Sequence, residues 1–170
     1  MTIYTVVDSP LGELLLVGEY SAGAPGGVAL TSLSMPGQRG RAHVQPEWEH
    51  DDAAFWEITR QIGVYFSGEP FDFDLEYRTH GTDFQEQVWQ AVEKIPYGST
   101  TTYGDLAEAI GVSRSEAVRI GAAVGANPLL LVRPCHRVIG ADGSMKGYAA
   151  GIERKELLLR IEGFWPALLV

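Results

Sequence analysis

The chain has 170 residues, 45% hydrophobic and 21% charged, which suits one compact unit or two small domains and excludes a disordered or fibrous chain. No apolar run approaches the roughly 20 residues needed to span a bilayer, and the N-terminus Met1-Thr2-Ile3-Tyr4 lacks the basic start of a secretory signal, so a cytoplasmic protein without membrane contact is expected. The net charge of −9 argues against a polyanionic partner, but residues 1–81 carry 12 acids and 4 bases (−8) and residues 82–170 carry 10 acids and 9 bases (−1), so any polyanion would approach the second half.

The first half reads as β-structure with one helix. Ile3–Val7 and Leu14–Val17 flank the turn Asp8-Ser9-Pro10-Leu11-Gly12, a hairpin pattern, and a third strand is expected over Val28–Ser34. Gly- and Pro-rich loops fill Ser21–Gly27 and Pro36–Gly40. After Asp51-Asp52, the apolar residues Phe55, Ile58, Ile62 and Phe66 recur at helical spacing. Phe71–Tyr77 alternates apolar and acidic residues as an edge strand does. Nothing in this half carries evident chemistry, so it reads as a scaffold.

The second half opens with a helix. Thr82-Asp83-Phe84-Gln85 is a capping box, followed by the apolar face of Phe84, Val88, Trp89 and Val92. A short helix is expected over Tyr103–Ile110, stopped by Gly111. Ser113-Arg114-Ser115-Glu116 is a second capping box, opening a helix to about Gly125. This pair has the form of a helix-turn-helix. Within the second helix Ala117, Ile120 and Val124 should face the core. The small residues Gly121, Ala122, Ala123 and Gly125 fit either close approach to DNA or tight helix packing. A short strand at Leu129–Val132, a glycine-rich loop at Gly147–Gly151 and a helix over Glu153–Glu162 complete the chain.

Pro134-Cys135-His136-Arg137-Val138 contains the single cysteine. A thiol attacks electrophiles as its thiolate and needs a neighbour that takes its proton. His136 is adjacent, but consecutive residues of an extended segment point to opposite faces, so the proton would pass through a water. Glu162 is the carboxylate available to fix the imidazole tautomer. On these residues alone, a buried inert cysteine beside a surface histidine is the favoured reading. With one cysteine, and His43, His50, His80 and His136 scattered without ligand spacing, no metal site can be read and no cofactor is expected.

Taken together, the motifs Thr82-Asp83-Phe84-Gln85, Ile95-Pro96-Tyr97-Gly98, Thr102-Tyr103-Gly104, Asn127-Pro128, Pro134-Cys135-His136-Arg137-Val138-Ile139-Gly140, Gly147-Tyr148 and Glu162-Gly163 resemble those of the O6-alkylguanine-DNA alkyltransferases, the methylated-DNA–protein-cysteine methyltransferases. The resemblance runs from about Thr82 to Gly163. It implies an α+β fold, with an N-terminal ribonuclease-H-like domain over residues 1–81 and a C-terminal winged helix-turn-helix-like alkyltransferase domain over residues 82–170. It also implies single-turnover transfer of an alkyl group to Cys135 from O6 of guanine, with O4 of thymine a further candidate, after the base is flipped through the minor groove. His136 would act as base through a water, Glu162 would orient it, and Tyr103 would donate to guanine N3. Asn127, Tyr148, Ala149, Val118, Arg119 and Arg137 are the expected substrate-binding residues. The expected partner is double-stranded DNA carrying O6-alkylguanine, bound by a monomer. Tyr103 as a core residue and Asn127 as a turn residue remain alternatives, as do a Cys-His-Glu hydrolase and a non-catalytic sensor of alkylated DNA.

Four departures from the family pattern stand out. The helix position at which the family carries an intercalating arginine is Val118 here, and an arginine follows as Arg119. Glu116 replaces a small residue, Arg133 an aliphatic one, and Ala149-Ala150 the more usual loop residues. The helical wheel is read as placing Arg119 near the centre of the exposed face, with Ser115 and Ala122, and Val118 on its shoulder. Val118 is then the apolar wedge and Arg119 a phosphate or groove contact.

Overall fold

In the computed structural model, which describes residues 1–145 and 147–164, the chain is α+β. β1 (Thr2–Val7), β2 (Leu14–Tyr20) and β3 (Val28–Ser34) form an antiparallel meander. Two short strands, β4 (Glu49–His50) and β5 (Glu76–Tyr77), add in parallel at its edges, giving the order β4-β1-β2-β3-β5. Leu14–Gly18 of β2 is buried throughout, as a strand covered on both faces must be. Helix α1 (Trp56–Phe66) buries Ile58, Ile62 and Tyr65.

The C-terminal helices are α2 (Asp83–Val92), α3 (Tyr103–Ala109), α4 (Ala117–Gly125) and α5 (Ile152–Ile161). The first capping box forms as expected: Thr82 Oγ1 accepts from Gln85 N and Gln85 Oε1 from Thr82 N. Trp89 Nε1 donates to Ala123 O at 2.8 Å, locking α2 against α4. Arg114 braces α4's entry against α3 through Asp105 and Glu108. A two-stranded parallel sheet of β6 (Thr101–Thr102) and β7 (Val138–Ile139) pairs the residues just before Tyr103 with those just after Arg137. Among the described residues, no helix is long and apolar enough to cross a membrane.

Four local expectations are corrected. Only Glu76–Tyr77 of the 71–77 segment pairs: in the parallel register Ala29↔Glu76, Phe71–Asp74 run past the start of β3 at Val28, which follows a 3-10 turn at Pro25–Gly27. The second capping box does not form. Arg114–Glu116 is a tight 3-10 turn in which Ser113 Oγ accepts from Ser115 N, while Glu116 N donates to the Ser113 carbonyl. Leu129–Val132 is not a strand. Leu129 alone bridges Leu33, and the chain then coils through Leu131, which holds φ +70°. The cysteine segment is not extended either: Cys135–Arg137 is a single 3-10 turn. Successive side chains of a 3-10 turn stand about 120° apart.

Candidate active site

The β6–β7 pairing sets two chemical groups side by side. Tyr103 opens α3, and Cys135 lies in the turn leading into β7. A Cβ on Gly147 would stand 2.8 Å from the Tyr103 hydroxyl oxygen, and one on Gly121 would stand 3.7 Å from its ring. Tyr103 is therefore held between α4 and the glycine-rich loop. Gly147, at φ +83°, is needed both for its backbone conformation and for this close approach. Tyr148, from the same loop, sits edge-on to His136 with ring centroids 6.5 Å apart.

Cys135 is 3% exposed. Burial pushes its thiol pKa up, against the lowering effects of an Asn127 side-chain hydrogen bond and the Lys155 and Arg133 charges. The resting group is a thiol that needs a base. His136 is fully buried, and its Nε2 lies 2.7 Å from Glu162 Oε2. Burial pushes the imidazole pKa down and outweighs the opposing pull of Glu162, so the ring is neutral near pH 7 and can accept a proton. Its Nδ1 is buried with no protein hydrogen-bond partner among the described residues.

Glu162 caps the C-terminus of α5 and is gripped from three sides. Besides His136, Arg137 Nε donates to Oε1 at 2.7 Å and Nη2 to Oε2 at 3.0 Å, while the Tyr65 hydroxyl donates to Oε2 at 2.7 Å. Burial alone would raise this carboxyl; hydrogen bonds and charge from His136 and Arg137 outweigh it and hold it at about 2. Lys155, one helical stripe back on α5, is fully buried and donates from Nζ to Val138 O. Burial lowers it to about 8.

Two domain descriptions match the chain: "6-O-methylguanine DNA methyltransferase, ribonuclease-like domain" over residues 2–79, and "6-O-methylguanine DNA methyltransferase, DNA binding domain" over residues 83–164. The chain belongs to the 6-O-methylguanine DNA methyltransferase family. It is 39% identical to the methylated-DNA–protein-cysteine methyltransferase of Methanosarcina acetivorans over 94% of this chain and 97% of that protein. It is 43% identical to the enzyme of that name from Mycobacterium tuberculosis over 95% of this chain and 93% of that one. The crystal structure of Mycobacterium tuberculosis OGT in complex with DNA superimposes with a TM-score of 0.85 at 42% identity, covering 95% of this chain and 93% of that one.

As a member of this methyltransferase family, the chain brings Cys135, His136, Glu162, Tyr103, Asn127 and Tyr148 into one region. Asn127 links α4 to the cysteine turn, its Nδ2 donating to Leu129 O and Arg133 O and its Oδ1 accepting from Leu129 N. Arg137 is placed differently from the expectation. It is buried, and its guanidinium is spent on Glu162 and, at 2.6 Å, on Ile95 O, so it is committed to the buried carboxylate rather than presented at a surface. The wheel reading of α4 is also corrected. Ile120, Ala123 and Val124 face the core, which puts Val118, Ala122 and Gly125 on the outward face, with Val118 87% exposed. Arg119 lies to one side, its guanidinium carbon 3.7 Å from the Phe84 ring centroid. One residue is about 100° of rotation, and the buried trio fixes which residue stands outermost.

Residues missed in the sequence came mostly from the supposed scaffold. Tyr65 completes the Glu162 cage. Arg39 N donates to Ala149 O, and Arg154 ties Leu11 O and Pro36 O to Ala150 O, so the N-terminal half holds the loop that carries Tyr148. Tyr65 did carry a signal, since a tyrosine in an apolar helical stripe needs a hydroxyl partner. So did Lys155, a lysine in one stripe with Leu158, Leu159 and Glu162.

Proposed function

We propose that this protein repairs DNA by moving an alkyl group from O6 of guanine to Cys135 in a single, irreversible event. The observation that carries this reading is the arrangement of a buried protonated thiol beside a buried neutral imidazole, whose far nitrogen is fixed by an anionic carboxylate. His136 Nδ1 takes the thiol proton through a bridging water. Sγ attacks the alkyl carbon, the C–O6 bond breaks with its electron pair left on guanine, and the negative charge that develops on the ring is met by a hydrogen bond donated from the Tyr103 hydroxyl to N3. Glu162 keeps its charge and stabilises the imidazolium. The thioether has no good leaving group, so the protein is consumed.

O6 lies within the base stack, so the nucleotide must leave the duplex to reach a thiol this buried. Tyr148, whose hydroxyl has no protein partner among the described residues, and Ala149 line its pocket. Val118 is the wedge that fills the vacated space, favoured by its position at the centre of the outward face of α4. Arg119, braced on Phe84, meets backbone phosphate. The DNA-facing half is residues 82–170, and the protein acts as a monomer on double-stranded DNA.

A hydrolase built from the same three residues would regenerate its thiol. Incubation with excess O6-methylguanine oligonucleotide tests the difference: lesion removal should plateau at one per protein molecule, and continued removal beyond that ratio would overturn the reading.

A further inference from the structure

Three donors converge on one buried oxygen. Glu162 Oε2 lies 2.7 Å from His136 Nε2, and it accepts from the Tyr65 hydroxyl at 2.7 Å and from Arg137 Nη2 at 3.0 Å. Oε1 takes Arg137 Nε at 2.7 Å. An ionised carboxylate offers about four lone-pair sites, roughly two on each oxygen. Three donors on Oε2 therefore share its electron density, and each weakens the hold of the others. The effect is large here because the Glu162, His136 and Tyr65 side chains are all buried, away from screening water.

The third donor comes from the other half of the chain. Tyr65 lies on α1, its ring stacked on Phe73 at 5.5 Å between centroids and edge-on to Phe66 at 5.1 Å and to Tyr97 at 6.1 Å. A phenylalanine would fill this apolar slot as well, so the hydroxyl is what sets the tyrosine apart. Burial and the Glu162 charge push that hydroxyl's pKa far up, so it stays a donor across the working pH range. The imidazole it competes with has its other nitrogen, Nδ1, buried and without a protein partner among the described residues. The harder Oε2 pulls on the Nε2 proton, the more readily Nδ1 binds a second one.

We propose that Tyr65 is a positioning residue for the transfer: by sharing Glu162 Oε2 with His136, its hydroxyl limits the carboxylate's pull on the imidazole and leaves Nδ1 free of a proton until the thiol supplies one. This rests on His136 being the base that serves Cys135. Arg137 of the cysteine turn, Lys155 and Glu162 at α5 and Tyr148 of the glycine-rich loop face the ring, and Tyr97, which follows α2, faces Glu162 beside Tyr65. Arg137 keeps both of its contacts to Glu162 when the Tyr65 hydroxyl is removed, so Tyr65→Phe leaves the carboxylate paired.

The test reads two midpoints in the full chain, wild type and Tyr65→Phe. One is the protonation of the His136 ring followed by NMR; the other is the acid limb of single-turnover methyl transfer from an O6-methylguanine oligonucleotide. Tyr65→Phe should raise the His136 midpoint by roughly half a unit to one unit. The acid limb should move up with it, a slowdown of about three- to tenfold below the wild-type midpoint. Should Tyr65→Phe be too unstable to titrate, Tyr65→Met, which also lacks the donor and adapts to an apolar slot, should shift both midpoints in the same direction. An unmoved or lowered His136 midpoint, or a rate reduced equally at every pH, would overturn the proposal. A His136 midpoint that rises without the acid limb following would sink the histidine-base reading and the role of Tyr65 in transfer with it. An unmoved midpoint in a protein that still methylates Cys135 sinks the Tyr65 proposal alone.

Discussion

Cys135 does not sit in an environment that makes it a thiolate at rest; burial outweighs every favourable charge around it. In the proposed mechanism its activation depends on His136, and general-base assistance is typically worth about 10² to 10⁴ in rate. His136→Ala should slow single-turnover transfer by a factor in that range while leaving DNA affinity nearly unchanged, and unaltered transfer kinetics would reduce His136 to a packing residue. Arg137 behaves differently. Removing its guanidinium leaves the fully buried Glu162 carboxylate short of its principal counter-charge, so Arg137→Leu should cost about 3–5 kcal/mol in denaturant unfolding. A stable variant with weakened DNA binding would instead place Arg137 at the substrate. The Cys-His-Glu set was legible in the sequence because its residue types are chemically scarce. Arg137 was misplaced because a cation in a motif reads the same whether it meets a phosphate or a buried carboxylate.

Helix α4 illustrates how far an element can be read from a linear pattern. Its core stripe of Ile120 and Val124 was legible, and so were its limits near Gly125. Its outward face was assigned about one residue off, since an error of about 100° is a single position. With Val118 outermost and Arg119 stacked on Phe84, the two substitutions should separate. Val118→Ala should slow transfer from duplex more than from single strands, where flipping costs less. Arg119→Ala should weaken binding to lesioned and plain DNA alike and reduce the salt slope by roughly one phosphate contact. The opposite result, with Arg119→Ala selectively crippling duplex repair and Val118→Ala silent, would make the arginine the wedge. The strand expected at Leu129–Val132 failed for a different reason. Asn127 and the positive φ of Leu131 coil the chain there, and a leucine gives no warning of that conformation.

For the whole molecule, the meander and α1 were evident from periodicity, but their part in the chemistry was not. A scaffold residue, Tyr65, holds the carboxylate 97 positions away in sequence, and no local pattern records such a contact. The buried His136–Glu162 pair also sets the response to acid. His136 and Glu162 both have depressed pKa values in the folded state, so the stability they contribute is present above their ordinary values of 6.5 and 4.5. It is lost as pH falls through the folded ones, for Glu162 toward about 2. Transfer should accordingly stay level across about pH 7–8 and decline below the depressed His136 value, ahead of unfolding monitored by circular dichroism; a rate that climbed as pH fell below 6.5 would contradict a neutral His136 base. The most direct test of all is intact mass, with peptide mapping, after exposure to an oligonucleotide carrying O6-methylguanine. One added methyl per molecule, on Cys135 and absent from Cys135→Ser, is the expected result. A methyl on any other residue, or repaired DNA with the protein mass unchanged, would contradict direct transfer.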